Sequence, residues 1–190
     1  MCSHFGNWQL SLDTGGEKNF TINVLVNQEM NEAVRKSLKL NQPLNNLNFI
    51  FTDGPGSGML EVASVLCRNE IVFLMGDRPY GAPVVEVDFL GGKAWFPYSA
   101  YVIAAKTSSR VLTMFVCYDR VKGIYRVECG EPVFPVSGGR KVSAQESYAP
   151  YVQAYACELE SYMRKYPEQA FLFSDVWTGH DKNNKNTVQE

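Results

Sequence analysis

At 190 residues, 45% hydrophobic and 13% aromatic, the chain is long enough for one domain with a real core. Its 18 basic and 20 acidic side chains leave a net charge of −2 with no block of like sign, which excludes a nucleic-acid binder working through a broad basic field. No run reaches the roughly 18 apolar residues of a membrane span, and no charged-then-apolar signal segment opens the chain.

In chain order, Ser3–Ser11 (SHFGNWQLS) comes first and reads as a turn into a helix. Strands are predicted at Phe20–Val26, Leu47–Thr52, Ile71–Leu74, Val84–Phe89, Val111–Tyr118 and Ile124–Cys129, runs rich in Val, Ile and Phe that mostly end in Gly, Asp or Asn. Helices are predicted between several of them. Glu29–Leu40 carries Met30, Val34 and Leu38 at helical spacing, and Gly58–Arg68 carries Met59, Val62, Val65 and Leu66. Pro97–Lys106 opens on a proline at the first helical position. The longest helix, about Ser143 to Lys165, has tyrosines 148, 151, 155 and 162 and Leu159 on one stripe, which reads as core packing, with Pro150 marking a break near its start. Two local hairpins are expected, one around Gly91-Gly92 and one around Lys122-Gly123. The whole is an α/β fold, a mixed and mostly parallel sheet flanked by helices. Residues 1–179 form one domain, and the polar tail His180–Glu190 is expected to be disordered.

The chemistry-bearing stretch is the first. An imidazole at a turn, titrating near neutrality, can take a proton from a hydroxyl. It works better when its other ring nitrogen is held by an acceptor, which fixes the tautomer. Gln9, about one helical turn beyond His4, is in reach for that role, but as an amide it cannot balance an imidazolium. Asp77, then Asp13, are the carboxylates that can take over. Taken alone, His4 can equally be a helix-capping or packing residue.

Other stretches are weighed beside it. The five cysteines (Cys2, Cys67, Cys117, Cys129, Cys157) are dispersed, with no C-x-x-C pair, which argues against a zinc knuckle or disulfide framework and for reduced thiols in a cytosolic protein. Cys2 and His4 would form a nucleophilic pair only if they faced each other, and on an extended segment they do not. Ser3 lacks the G-x-S-x-G of a hydrolase nucleophile. Asp77-Arg78 follows a strand, on the side where α/β sheets take ligands; Arg78 can hold a phosphate or carboxylate, or form a structural ion pair. Arg120 is a further anion-site candidate. FTDGPGSGML (Phe51–Leu60) is strand, glycine loop, helix, and raises a nucleotide-binding α/β protein as a rival, although its glycine spacing does not match G-x-G-x-x-G.

HFGNWQ resembles the His-x-Gly-Asn-Trp-Glu block of the late acyltransferases of lipid A biosynthesis, within the wider lysophospholipid/glycerolipid acyltransferase superfamily. The resemblance continues in order through EIVFLMGDRP (Glu70–Pro79), Val85–Arg120, GIYRVECGEPVFP (Gly123–Pro135) and Tyr151–Phe173, most of the chain. It implies an α/β sandwich that moves a fatty acyl group from acyl-carrier protein or acyl-CoA to a hydroxyl of a lipid or glycolipid acceptor. It implies His4 as general base, no metal, no bound cofactor and no covalent enzyme intermediate. Gln9 stands where the family has its acid. Catalytic candidates are therefore His4, Gln9 and Asp77. Substrate-binding candidates are Asn7, with backbone N–H groups near Gly6, for the oxyanion; Arg78 and Arg120 for phosphates; and Gly91 and Gly92, small enough to admit an acyl chain. The family's N-terminal membrane segment would lie before this chain, and the expected location is cytoplasmic, peripheral to the cytoplasmic membrane. Because of Gln9, a catalytically weakened lipid- or acyl-binding module is the alternative.

Overall fold

The computed structural model describes residues 1–10, 12, 20–26, 47–52, 58–79 and 81–177. The expected helix Glu29–Leu40, Asp13, the glycines of Asp53–Ser57 and the tail His180–Glu190 lie outside them. Val, Ile and Phe runs form a three-stranded parallel sheet of β1 (Ile22–Val26), β2 (Leu47–Phe51) and β3 (Ile71–Phe73), in the order β2-β1-β3. Ile22 is in register with both Leu47 and Ile71. Helix α1 (Met59–Cys67) leads from β2 to β3 and buries Val62 and Val65 against Ile50. It starts at Gly58, whose φ of 67° no side chain adopts easily.

Among the described strands, antiparallel pairing forms two hairpins. β4 (Val84–Phe89) pairs with β5 (Gly92–Pro97), and β6 (Met114–Asp119) with β7 (Ile124–Cys129). In β4 the alternation of Val85, Val87 and Phe89 inward with Glu86 and Asp88 outward is the period-2 signature of a half-buried strand. Its turn is Leu90-Gly91, both at positive φ as a two-residue hairpin demands, one residue earlier than the glycine pair suggested.

Helix α2 (Ser99–Thr107) begins later than expected, because Pro97 closes β5 opposite Val84 instead of opening the helix. Val111 likewise stands apart from β6 and pairs with Val133. Helix α3 (Ala144–Lys165) is capped by Ser143, whose hydroxyl accepts from the Glu146 N–H while the Glu146 carboxylate accepts from the Ser143 N–H. It runs through Pro150 without a break. An interior proline costs about 3 kcal/mol, whereas each large apolar side chain that α3 buries returns about 1.5–3 kcal/mol. Tyr148, Val152, Tyr155, Ala156, Leu159 and Met163 are all buried, so the helix continues and its tyrosine stripe packs inward.

The N-terminal residues join these parts. Cys2 bridges Met75 just beyond β3. On the other side the Met114 N–H donates to Met1 O (2.9 Å) and the Asn7 N–H to Val116 O (3.1 Å). Residues 1–7 thus run between β3 and β6 as an irregular connecting strand. Among the described residues, no helix is long and apolar enough to cross a membrane.

Candidate active site

Both sides of this connecting segment deliver a functional side chain. Past β3 the chain passes Gly76, where a Cβ would stand 2.7 Å from the Met1 sulfur, and reaches Asp77. Asp77 is fully buried, and a buried carboxylate needs donors. Among the described residues it has two, both from His4. The backbone N–H of His4 donates to Oδ2 at 2.7 Å, and Nδ1 lies 2.8 Å from Oδ1. With the carboxylate ionised, Nδ1 carries the proton and the Nε2 lone pair is left to act as base. The ring itself is 21% exposed.

The surroundings hold this pair in place. The Phe171 N–H donates to His4 O (3.0 Å) and the Gly6 N–H to Gln169 O (2.8 Å), so the backbone is pinned on either side of Phe5. Tyr155 donates its hydroxyl to Cys2 O at 2.8 Å. Burial, with the Asp77 charge nearby, pushes that phenol well above its ordinary value and keeps it protonated. Gly6 has φ of 61°, and a Cβ there would lie 1.7 Å from Val116 O; only glycine passes beneath β6. Beyond it the Leu10 N–H donates to Asn7 O (3.2 Å), and Gln9, Leu10 and Leu12 are helical.

Several expectations are corrected. His4 is held by Asp77 and not by Gln9, whose side chain is exposed. The Gly6 and Asn7 N–H groups are spent on Gln169 O and Val116 O, so neither is open to an oxyanion. Gly91 and Gly92 lie on the β4–β5 hairpin beside Trp177, where the Glu160 carboxylate accepts from the Leu90 N–H; they do not line the cleft described below. Cys2 agrees with the sequence reading: it is buried, its thiol donates to Met114 O at 3.1 Å, and burial pushes it up to about 11, so it is no nucleophile for His4.

A cleft of about 440 Å3 opens along Gly6 to Gln9, just past the His4–Asp77 pair, and neither member of the pair is among its lining residues. Gly6 to Gln9 form one wall, Tyr118, Arg120 and Tyr125 of the second hairpin another, and Glu168, Gln169 and Phe171 the third. Arg120 faces Glu168 at 3.5 Å, and Arg78 donates to Phe171 O at 2.9 Å. Asn7, Gln9 and Arg120 therefore share one cavity, with Arg78 behind its Phe171 wall. Of the lining, Trp8, Tyr118, Tyr125, Gln169 and Phe171 were missed from the sequence; Trp8 sits in the His4 block and Gln169 and Phe171 in the Tyr151–Phe173 piece, so their signal was position within known pieces. Gln169 is buried and clamps Tyr118 through both its amide groups, accepting from Tyr118 N and donating to Tyr118 O.

Comparison with curated proteins gives no match. The model of one family, described as bacterial lipid A biosynthesis acyltransferase, matches residues 1–178. That span runs from the residues preceding His4, through Asp77 and the cleft, to the strap after α3, and the chain accordingly belongs to the bacterial lipid A biosynthesis acyltransferase family.

Proposed function

We propose that this chain moves a fatty acyl group from a thioester donor, acyl-carrier protein or acyl-CoA, to a hydroxyl of a lipid or glycolipid acceptor at the cytoplasmic membrane surface, with His4 as general base. Family membership supports acyl transfer to a lipid acceptor. The observation that carries the residue assignment is the 2.8 Å contact between Nδ1 of His4 and the buried Asp77 carboxylate.

Nε2 takes the proton of the acceptor hydroxyl as its oxygen attacks the thioester carbonyl. The imidazolium so formed is stabilised by Asp77. The tetrahedral oxyanion is met by the Asn7 side chain. Collapse breaks the C–S bond, and the imidazolium returns its proton to the departing thiolate. The balance is one ester and one thiol formed from one thioester and one hydroxyl. Arg120 and Arg78, at the cleft and behind its wall, supply positive charge for a phosphate of donor or acceptor. The alternative of a binding module leaned on the amide at position 9, and that amide is not what holds His4.

The test is thiol release from long-chain acyl-CoA and acyl-carrier-protein donors with a lipid extract as acceptor. His4→Ala is expected to abolish acceptor-dependent release. Asp77→Asn is expected to lower it by about 10³ to 10⁴, the scale on which a His-orienting carboxylate acts elsewhere. Full activity in His4→Ala would remove the general base from this reading.

A further inference from the structure

The His4–Asp77 pair joins two stretches of chain 73 residues apart, so its 2.7 and 2.8 Å contacts depend on how those stretches are fixed to each other. They meet first at Cys2. Its N–H donates to Leu74 O at 2.8 Å, and its carbonyl accepts from the Gly76 N–H at 2.9 Å. Asp77 follows Gly76 directly, and His4 lies just beyond Cys2 on the other stretch. A carbonyl oxygen has a second lone pair. Here it accepts from the Tyr155 hydroxyl at 2.8 Å.

Tyr155 belongs to neither stretch. It comes from α3, and its ring is fixed by the core: edge-on to Phe96 and stacked on Phe115, with both centroids 6.2 Å away. Its Cε1 would lie 3.2 Å from a Cβ at Gly76, so the ring is pressed against the residue before Asp77. Core packing alone asks only for the ring, and phenylalanine supplies that. A buried hydroxyl costs free energy unless it is hydrogen-bonded, and this one is spent where the two stretches meet. Tyr101 is the contrast. It is equally buried, at 2% exposed, but its hydroxyl donates to Tyr151 O at 3.1 Å and so joins α2 to α3.

We infer that Tyr155 is a positioning residue for the acyl transfer: its hydroxyl and the Gly76 N–H together fix the Cys2 carbonyl, and this holds the His4 imidazole on the Asp77 carboxylate. Tyr155 is not among the residues lining the cleft, so it acts on the rate and not on substrate binding. The inference rests on the proposed reading of His4 as general base, yet the hold on the imidazole is measured without turnover.

The experiment uses the full chain. The Nδ1 proton of His4, held by a buried carboxylate, gives a far-downfield signal in the proton NMR spectrum. Loss of the signal in His4→Ala assigns it between the chain's two histidines. The parent and Tyr101→Phe are expected to show it alike. In Tyr155→Phe it is expected to exchange with solvent about tenfold faster, because local opening becomes easier. Tm is expected to fall by only about 2–4 °C, the effect of one ordinary hydrogen bond in a chain of this size. In the thiol-release assay Tyr155→Phe is expected to lower kcat by about tenfold to a hundredfold, the scale of a misplacement by about 1 Å, with KM unchanged. In an Asp77→Asn background the same change is expected to cost less than about twofold, because a positioning residue acts through the carboxylate it places. Parental exchange in Tyr155→Phe, equal acceleration in Tyr101→Phe, the same fold-loss of kcat in both backgrounds, or no such signal from the parent would each overturn the inference. A parent that releases no thiol would overturn the proposed reading instead, and the imidazole signal would still decide the positioning.

Discussion

Asp77 is sealed from solvent and accepts from both the backbone and the ring of His4, so the position of its carboxylate and the tautomer of His4 are one and the same constraint. Position 9 has no comparable hold. A carboxylate placed there would be exposed, and an exposed pair of charges even 4 Å apart gains only about 1 kcal/mol in water, roughly fivefold in rate. Gln9→Glu is therefore expected to change acyl transfer by less than about fivefold, measured as kcat for thiol release beside the parent. A rise of a hundredfold would show that the motif acid, and not Asp77, governs the imidazole. Both members of the pair were visible in the sequence as chemistry-bearing residues. Asp77 stood first among the carboxylates that could take over from Gln9, and the fold was needed to decide between them, because spacing along a chain exposes neighbours one helical turn away and is blind to a partner beyond another strand. The backbone part of the oxyanion reading of the Gly6 turn failed for a related reason, since only the fold shows that the Gly6 and Asn7 N–H groups are already in use.

Elements whose partners are adjacent in sequence were the most legible. β4 and β7 begin and end where alternation and turn residues put them, and α3 starts at its capping box. Pro97 and Val111 were misread because what fixes them is a partner on another segment, Val84 and Val133. The glycines show how contact and conformation divide the same question. Gly6 and Gly91 both have positive φ, 61° and 85°. A left-handed residue other than glycine costs about 1–2 kcal/mol at either site. At Gly91 a Cβ would meet nothing within 4 Å, whereas at Gly6 it would lie 1.7 Å from a backbone oxygen of β6. Gly91→Ala is expected to lower unfolding stability by about 1–2 kcal/mol. Gly6→Ala must also separate the connecting segment from β6, so a loss several kcal/mol larger, or failure to fold, is the expected outcome. Urea midpoints of the two variants decide this, and equal losses would mean that the segment moves away from β6 freely.

The molecule as a whole is held together at the site by contacts between distant segments. Residues 1–7 connect the parallel sheet to the second hairpin, and the strap after α3 closes over them. Such a segment has no periodic pattern of its own, and its role as a connecting strand was illegible because its partners lie more than seventy residues away. Gln169 is where the three segments meet. Its carbonyl accepts from Gly6, its side chain occupies both backbone groups of Tyr118, and two residues further on Phe171 donates to His4. Gln169→Leu preserves size and leaves the N–H and C=O of Tyr118 without their side-chain partner at a half-buried position. Each orphaned group costs about 1–3 kcal/mol, and for a chain of this size each kcal/mol lowers Tm by about 2–4 °C. The expected fall is therefore about 4–24 °C, the product of those ranges. Acyl transfer assayed well below the new Tm is expected to fall as well, because the strap that anchors His4 loses its register. A variant that melts early yet turns over normally when folded would show that Gln169 serves the fold alone, and that His4 and Asp77 keep their geometry without the strap.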